Sequence, residues 1–155
     1  MSKSTVKYFT YSNVITFIND FNEPLEDYIV IIRNYSIMKF NNYSKFNKPI
    51  MILPNSLTHL TFKKNFNKNI ELPENLLFVG TSEPSIEMIE KMPNNVKELL
   101  IKFNSNAFKL ENLPNSIEKL NIYYYKYNYP IDWIIKPVSL NHLIINNVEI
   151  QLENN

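Results

Sequence analysis

The sequence predicts a single solenoid of about seven short coils, with a parallel β-sheet on its concave face and irregular or 3₁₀ structure on its convex side. Three observations lead to this fold class. A proline recurs at nearly constant spacing, apolar residues follow each proline at fixed distances, and the 155 residues include one glycine and no cysteine. Coils of this length cannot bury an apolar side alone, so they stack into a continuous core.

The proline spacing defines the repeat. The recurring prolines are Pro54, Pro73, Pro93, Pro114 and Pro137, and they are 19, 20, 21 and 23 residues apart. Positions +3, +6 and +8 after each proline are apolar in fourteen of fifteen cases, the exception being Thr81. Positions +6 and +8 share one face of a strand because side chains alternate, and proline, which lacks an N–H, precedes the strand. We expect the sheet to be irregular where Gly80 meets Thr81.

A second motif lies on the return side of the coil. Its three copies are 21–25, 46–50 and 66–70, each beginning with Phe-Asn and ending in leucine or isoleucine. These copies place two further coils before Pro54. One of them is expected to bury Ile37 and Phe40, and the other Ile15 and Phe17. The segment Glu83 to Met92 is predicted to be helical, because Ser-Glu-Pro-Ser is a helix-start signal and Ile86 and Ile89 follow at helical spacing.

The repeat divides the chain into three parts of one domain. Residues 1–33 are expected to form an N-terminal cap and a degenerate coil, residues 34–147 the regular coils, and residues 148–155 an edge strand and tail. In that edge strand, Val148, Ile150 and Leu152 should face inward. Glu149, Gln151 and Glu153 should face outward, where charge discourages edge pairing. The single glycine disfavours tight hairpins. Exposed solenoid ends would leave the protein a monomer or a weak dimer.

The pattern from Leu53 to Ile70 resembles the FNIP repeat, a variant of the leucine-rich repeat named for its Phe-Asn-Ile-Pro signature. The resemblance implies a leucine-rich-repeat-like solenoid and offers no catalytic residues. It also implies an origin in social amoebae or their giant viruses, which the Asn, Ile and Lys bias fits. Many family members carry an F-box before the repeats, which implies substrate recognition for a ubiquitin ligase. The first thirty residues show no F-box pattern, so that role is kept as an alternative.

The candidate partner surface consists of the positions that alternate with the core, at +5, +7 and +9 from each proline. These candidates are His59, Thr61, Lys63, Phe78, Glu98, Leu100, Lys102, Lys119, Asn121, Tyr123, His142 and Ile144. Gly80, Ser82 and Asn146 share the pattern, and projection backwards adds Lys39, Asn41 and Tyr43. Mixed charge with aromatic and aliphatic residues is typical of a protein-binding face. We therefore expect a non-enzymatic module that binds a host or viral protein.

Composition excludes several classes of function. The 16 basic and 15 acidic residues argue against broad electrostatic binding of nucleic acid or anionic membrane. One glycine excludes glycine-rich phosphate loops, and the lack of cysteine excludes thiolate sites. His59 and His142 lie four coils apart, about 19 Å at the usual strand spacing, so one metal ion cannot bridge them. No cofactor, metal or catalytic residue is predicted.

The segment Tyr123 to Tyr129 leaves three interpretations open. Its aromatic residues could stack single-stranded bases, form a protein-binding hot spot, or fill the core between coils. No apolar run approaches the roughly 18 residues of a membrane span, and the N-terminus lacks a signal-peptide pattern. We therefore expect a cytoplasmic protein, in the host cytoplasm if it is viral.

Overall fold

The computed structural model describes residues 6–41, 43–63, 66, 68–126 and 128–152. In this part of the chain, nine strands form one sheet in sequence order. The strands are β1 Tyr8–Tyr11, β2 Val14–Phe17, β3 Ile37–Phe40, β4 His59–Thr61, β5 Phe78–Ser82, β6 Glu98–Phe103, β7 Lys119–Tyr124, β8 His142–Ile145 and β9 Val148–Ile150. Strands β2 to β8 pair in parallel, and the two outer pairs are antiparallel. The predicted β-rich, leucine-rich-repeat-like solenoid is thereby confirmed.

Helical structure is confined to short pieces on the return side. The α-helices are α1 Ile29–Ile32 and α2 Ile86–Glu90, and two 3₁₀ helices cover Leu25–Tyr28 and Ile131–Trp133. Isolated parallel bridges join Ile50 to Ile70 and Leu110 to Ile134. The described part of the convex side is therefore mostly irregular, as the broken return segments predict.

Each recurring proline opens a turn before a strand. The carbonyl of Pro54 accepts a hydrogen bond from the Leu57 N–H at 3.1 Å, and the four later prolines make the same bond. Asparagine links these turns between coils, since the Asn75 amide donates to the carbonyl of Asn55 and the Asn95 amide to the carbonyl of Glu74, both at 2.8 Å. The frequent asparagines thus satisfy backbone groups that a glycine-poor turn leaves open.

The core lies between the sheet and the return segments. Phe17, Phe40 and Phe62 stack across three successive coils with ring centroids 5.4 and 5.9 Å apart. Beside them, Phe21, Phe46 and Phe66 form a second column with spacings of 5.7 and 5.9 Å. We call these six side chains the phenylalanine ladder. Rings from the Phe-Asn motif therefore pack directly against the ends of the strands.

One expected core residue lies on the other face of the sheet. Ile37 was predicted to be buried with Phe40, but residues three apart in a strand cannot share a face. The register pairs Ile37 with His59, while Met38 pairs with Leu60 and is completely buried. Met38 and Phe40 are the core residues of this coil. The expected burial of Ile15 and Phe17 is confirmed.

The expected irregularity at Gly80 and Thr81 is wrong. β5 pairs without a break with β4 and β6, and Thr81 takes its core position with 2% of its surface exposed. Its hydroxyl donates to the sulfur of Met88 at 3.8 Å. The backbone departs from the strand only at Glu83, where φ is 53°. A polar side chain is accommodated here because α2 brings a polarisable partner to it.

The helix predicted from Glu83 to Met92 is shorter, and α2 covers only Ile86–Glu90. Glu83 has a positive φ, and Ser85 is extended, with φ −79° and ψ 157°. The Ser85 hydroxyl accepts the Met88 N–H at 3.1 Å. Ser85 is therefore the N-cap, as the start signal suggests, but the helix begins after it.

Two tight hairpins occur at the ends of the described sheet despite the shortage of glycine. β8 and β9 are joined by Asn146 and Asn147, whose φ angles are 50° and 67°. Asparagine tolerates this left-handed region, so the inference from glycine alone was wrong. In β9, Ile150 packs against the core, whereas Val148, expected to face inward, is 61% exposed.

Candidate interaction surface

The strand register gathers the candidate residues into rows on the side of the sheet opposite the core. One row contains Ile37, His59, Phe78, Glu98, Lys119 and His142, and the next contains Lys39, Thr61, Gly80, Leu100, Asn121 and Ile144. A third row contains Ser82, Lys102 and Tyr123. Lys63 follows β4 by two residues. All but His142 of the twelve candidates are half-buried, so they form a continuous face rather than isolated side chains.

The centre of this face is apolar. Phe78 stacks on His59 with ring centroids 5.7 Å apart. A Cβ added at Gly80 would lie 3.3 Å from the Phe78 ring and 3.3 Å from the Thr61 methyl. The Phe78 ring therefore lies over Gly80, and the missing side chain gives it room.

Asn121 lies in the register between Leu100 and Ile144. Its Oδ1 atom is buried and has no hydrogen-bond partner among the described residues. A buried unsatisfied acceptor costs about 1–3 kcal/mol.

Charges on the C-terminal half of the face are paired within the protein. Lys119 Nζ lies 2.8 Å from Glu98 Oε1 on the neighbouring strand, and His142 Nδ1 lies 2.8 Å from Glu149 Oε1. The lysine–glutamate pair is accessible to solvent, so it contributes about 0–1 kcal/mol to stability. It carries no net charge.

The part of the face from β3 to β6 is different, because lysines from three coils lie there. Among the described residues, no carboxylate lies within 4.0 Å of the amines of Lys39, Lys63 or Lys102. Lys39 and Lys63 line an open cavity of about 390 Å³. Burial lowers the pKa of Lys63, and the charges of Lys102 and Lys39 lower it further. Lys102 Nζ lies 5.4 Å from the centre of the Tyr123 ring.

Sequence reasoning missed part of this cavity. Thr16 and Asn19 line it beside Lys39 and Asn41. Thr16 pairs with Lys39 in the register of β2 and β3, so the period-two pattern of the second projected coil could have placed it. Asn19 follows the end of β2, so the alternation of side chains along a strand could not have predicted its position.

The tyrosine segment is divided between the core and the surface. Tyr129 is 2% exposed, stacks on Phe103 at 5.6 Å, and donates its hydroxyl to the carbonyl of Phe108. Burial raises the pKa of Tyr129. Tyr125 is 67% exposed, and Tyr127 lies outside the described residues. Because Tyr129 fills the core, it cannot stack on a base.

Three further observations concern metal binding and membrane spans. They contain no group of three or more histidine, aspartate or glutamate side chains placed to hold a metal ion. Among the same residues, no helix is both long enough and apolar enough to cross a bilayer. His59 on β4 and His142 on β8 are separated by three intervening strands.

Comparisons with known proteins support the repeat. Residues 46–79 match the FNIP repeat family, and this segment contains the copy from Leu53 to Ile70. The structure is similar to the crystal structure of CroV588, a circular leucine-rich-repeat protein of a giant virus, with a TM-score of 0.50 and 22% sequence identity. The match covers 87% of this chain and 27% of that one. No curated protein matches significantly. The predicted resemblance is confirmed for this segment, and the likeness to CroV588 shows the fold.

Proposed function

We propose that this chain is a non-enzymatic module that binds another protein through the concave face of its sheet. FNIP and leucine-rich repeats as a class are interaction modules. The observation that carries the proposal is the mixed face itself, on which the apolar side chains of Phe78, Leu100 and Ile144 are half-buried and lie among polar and charged side chains. An apolar centre with a polar rim is the usual composition of a protein-binding site.

The buried part of such a site contributes most of the binding energy. Phe78 is held in place by His59 and by its position over Gly80. A pre-positioned aromatic ring loses little conformational freedom on binding, which favours affinity. We expect the apolar centre to be the energetic centre of the interface.

A comparison of two triple variants tests this proposal. The concave variant is Phe78→Ala, Leu100→Ala, Ile144→Ala. The matched control is Met51→Ala, Ile135→Ala, Val138→Ala, which removes three side chains that are 55%, 53% and 88% exposed outside the concave strands. Both variants are compared with the wild type in quantitative capture from amoebal lysate, after circular dichroism has shown that they fold. The concave variant should lose bound proteins that the control retains, and equal retention by both variants would reject the concave face.

We further propose a cytoplasmic monomer, or a weak dimer through the solenoid ends, within the domain limits predicted above. The ubiquitin-ligase alternative requires binding to the ligase adaptor through residues 1–50. A pull-down of that adaptor by the full chain, compared with a chain that lacks those residues, distinguishes the two functions. Sedimentation that shows only monomer at tens of micromolar would reject the dimer.

A further inference from the structure

Three lysines occupy one region of the concave face, and we call them the lysine cluster. Lys39 lies on β3, Lys63 just after β4, and Lys102 on β6. Lys63 and Lys102 are half-buried. The cavity beside Lys39 and Lys63 is also lined by the polar side chains of Asn41 and Thr61. Cationic amines and neutral donors therefore converge on one open cavity.

The nearby carboxylates are engaged elsewhere. Glu98, on the same strand as Lys102, pairs with Lys119 at 2.8 Å. Asp20 pairs with Lys45 at 2.7 Å. Glu83 accepts the backbone N–H groups of Asn104 and Ser105 at 2.5 and 2.8 Å. These carboxylates therefore do not pair with the cluster, and burial, followed by the charges of Lys102 and Lys39, lowers the pKa of Lys63.

We propose that the lysine cluster binds an extended acidic segment of the partner protein, with glutamate or aspartate side chains at alternate positions. The inference rests on the proposed function and specifies the chemistry of the partner. It follows from the juxtaposition, on one sheet face, of an open cavity, apolar side chains and three amines that have no carboxylate within 4.0 Å among the described residues.

The spacing supports an extended peptide that runs across the strands. The three gaps from β3 to β6 span about 14 Å, at about 4.8 Å per strand. An extended chain rises about 3.3 Å per residue and places every second side chain on one face. Three alternate carboxylates therefore span about 13 Å, close to the extent of the cluster.

The rest of the face favours a protein over a nucleic acid. Beside the cluster, on β6 to β8, the same face is apolar at Leu100 and Ile144, and Glu98 pairs with Lys119. A polyphosphate chain needs positive charge along its whole path, which this half of the face does not provide. An acidic segment followed by apolar residues complements both parts of the face, because its carboxylates can pair with the lysine cluster and its apolar residues can contact Leu100 and Ile144.

Peptide binding to the intact chain tests the proposal directly. The probe is a fluorescein-labelled octapeptide of alternating serine and glutamate, with an octapeptide of serine and glutamine as its neutral control, and binding is followed by fluorescence anisotropy. The test variant is Lys39→Gln, Lys63→Gln, Lys102→Gln. The matched control is Lys48→Gln, Lys126→Gln, Lys136→Gln, which removes the same charge from exposed side chains outside the concave strands.

The acidic peptide should bind the wild type and the matched control, and the cluster variant should bind it at least tenfold more weakly. Added salt should weaken binding, while the glutamine peptide should not bind. Equal losses in the two lysine variants would show that net charge alone attracts the peptide, and would overturn the proposal. Oligo(dT) that binds more tightly than the peptide, with the same loss in the cluster variant, would assign the cluster to nucleic acid instead.

The two proposals fail separately. If the acidic peptide does not bind, the acidic chemistry is wrong, whatever the capture experiment shows. If the concave triple variant still captures every partner, the concave face is not the interface, even if the peptide binds. The peptide experiment therefore tests only the chemistry of the cluster.

Discussion

The phenylalanine ladder and the coil that follows Pro73 fill equivalent space with different chemistry. In the ladder, Phe40 and Phe46 lie in one coil with ring centroids 4.6 Å apart, and Phe62 and Phe66 repeat the arrangement at 4.7 Å. The next coil has Thr81 at the strand-end position and brings Met88 from α2 against it. Both regions are buried, and the sheet register continues through both.

The difference shows that the repeat fixes the sheet but not the composition of its core. Threonine is smaller than phenylalanine, and a helix of five residues brings a flexible methionine into the remaining space. Methionine suits irregular gaps because it is unbranched and polarisable. The rigid aromatic contacts of the ladder are thereby replaced by a threonine–methionine contact. The ladder should therefore be the more stable and less tolerant region, and the α2 coil the more adaptable one.

The largest effect should come from the ladder. Phe46→Ala removes a ring that is 3% exposed and contacts Phe21, Phe40 and Phe66. The expected loss is about 3–5 kcal/mol in the free energy of unfolding, measured by urea titration. Phe78→Ala is the matched control, because this ring lies half-exposed on the concave face and should cost much less. Equal losses would mean that the ladder is not a special source of stability.

The next effect concerns the connection between the α2 coil and the coil after it. Glu83→Ala removes a carboxylate that accepts the N–H groups of Asn104 and Ser105. Hydrogen bonds to a charged group are worth about 1.5–3 kcal/mol, so a loss of about 2 kcal/mol is expected. Glu83→Gln keeps an acceptor and should recover part of the loss. If glutamine is no better than alanine, the hydrogen bonds do not account for the effect.

A smaller effect is expected at the start of α2. Ser85→Ala removes the acceptor for the Met88 N–H and should cost about 1 kcal/mol in thermal or urea unfolding. Ser85→Asp supplies another N-cap acceptor and should stay close to wild type. An aspartate variant as unstable as the alanine variant would argue that α2 is fixed by packing rather than by its cap.

The smallest change should be a gain. Thr81→Val replaces a hydroxyl that is 2% exposed and has only a weak sulfur acceptor, Met88 Sδ at 3.8 Å. Removal of that buried polar group should raise the free energy of unfolding by about 0.5–1 kcal/mol. Thr58→Val is the contrasting variant and should lower the free energy of unfolding, because the Thr58 hydroxyl donates to the Ser36 carbonyl at 3.3 Å. A loss at position 81 would show that the threonine–methionine contact is stabilising.

The sequence predicts the sheet well because the same pattern of a proline followed by apolar residues occurs in five coils. β5 covers the whole predicted strand from Phe78 to Ser82, and β6 and β7 each extend one residue beyond theirs. Ile37 was assigned to the wrong face of its strand, because its coil has no recurring proline from which to count the core positions. The hairpin at Asn146 and Asn147 was not predicted, because asparagine as well as glycine adopts the positive φ that such a turn requires. Local signals were strongest where neighbouring coils repeat them.

The chemistry of the face was harder to predict than its position. All twelve candidate residues could be placed by the period of two, but their charge pairing could not. Lys119 and Glu98 pair because their strands are adjacent and in register, whereas Lys63 lies among other lysines. The pairing and clustering of these charged side chains depend on which coils are neighbours and on side-chain conformations. To predict them requires the register of the strands, which the spacing of the prolines gives only approximately.

Site-specific photo-crosslinking tests the central claim most directly. p-Benzoylphenylalanine replaces Leu100, at the centre of the concave face, or Ile135, which is 53% exposed outside the concave strands. Each protein is irradiated with a partner recovered in the capture experiment, and crosslinked products are identified by mass spectrometry. We predict crosslinks from position 100 and none from position 135. Crosslinks from position 135 alone would contradict binding through the concave face.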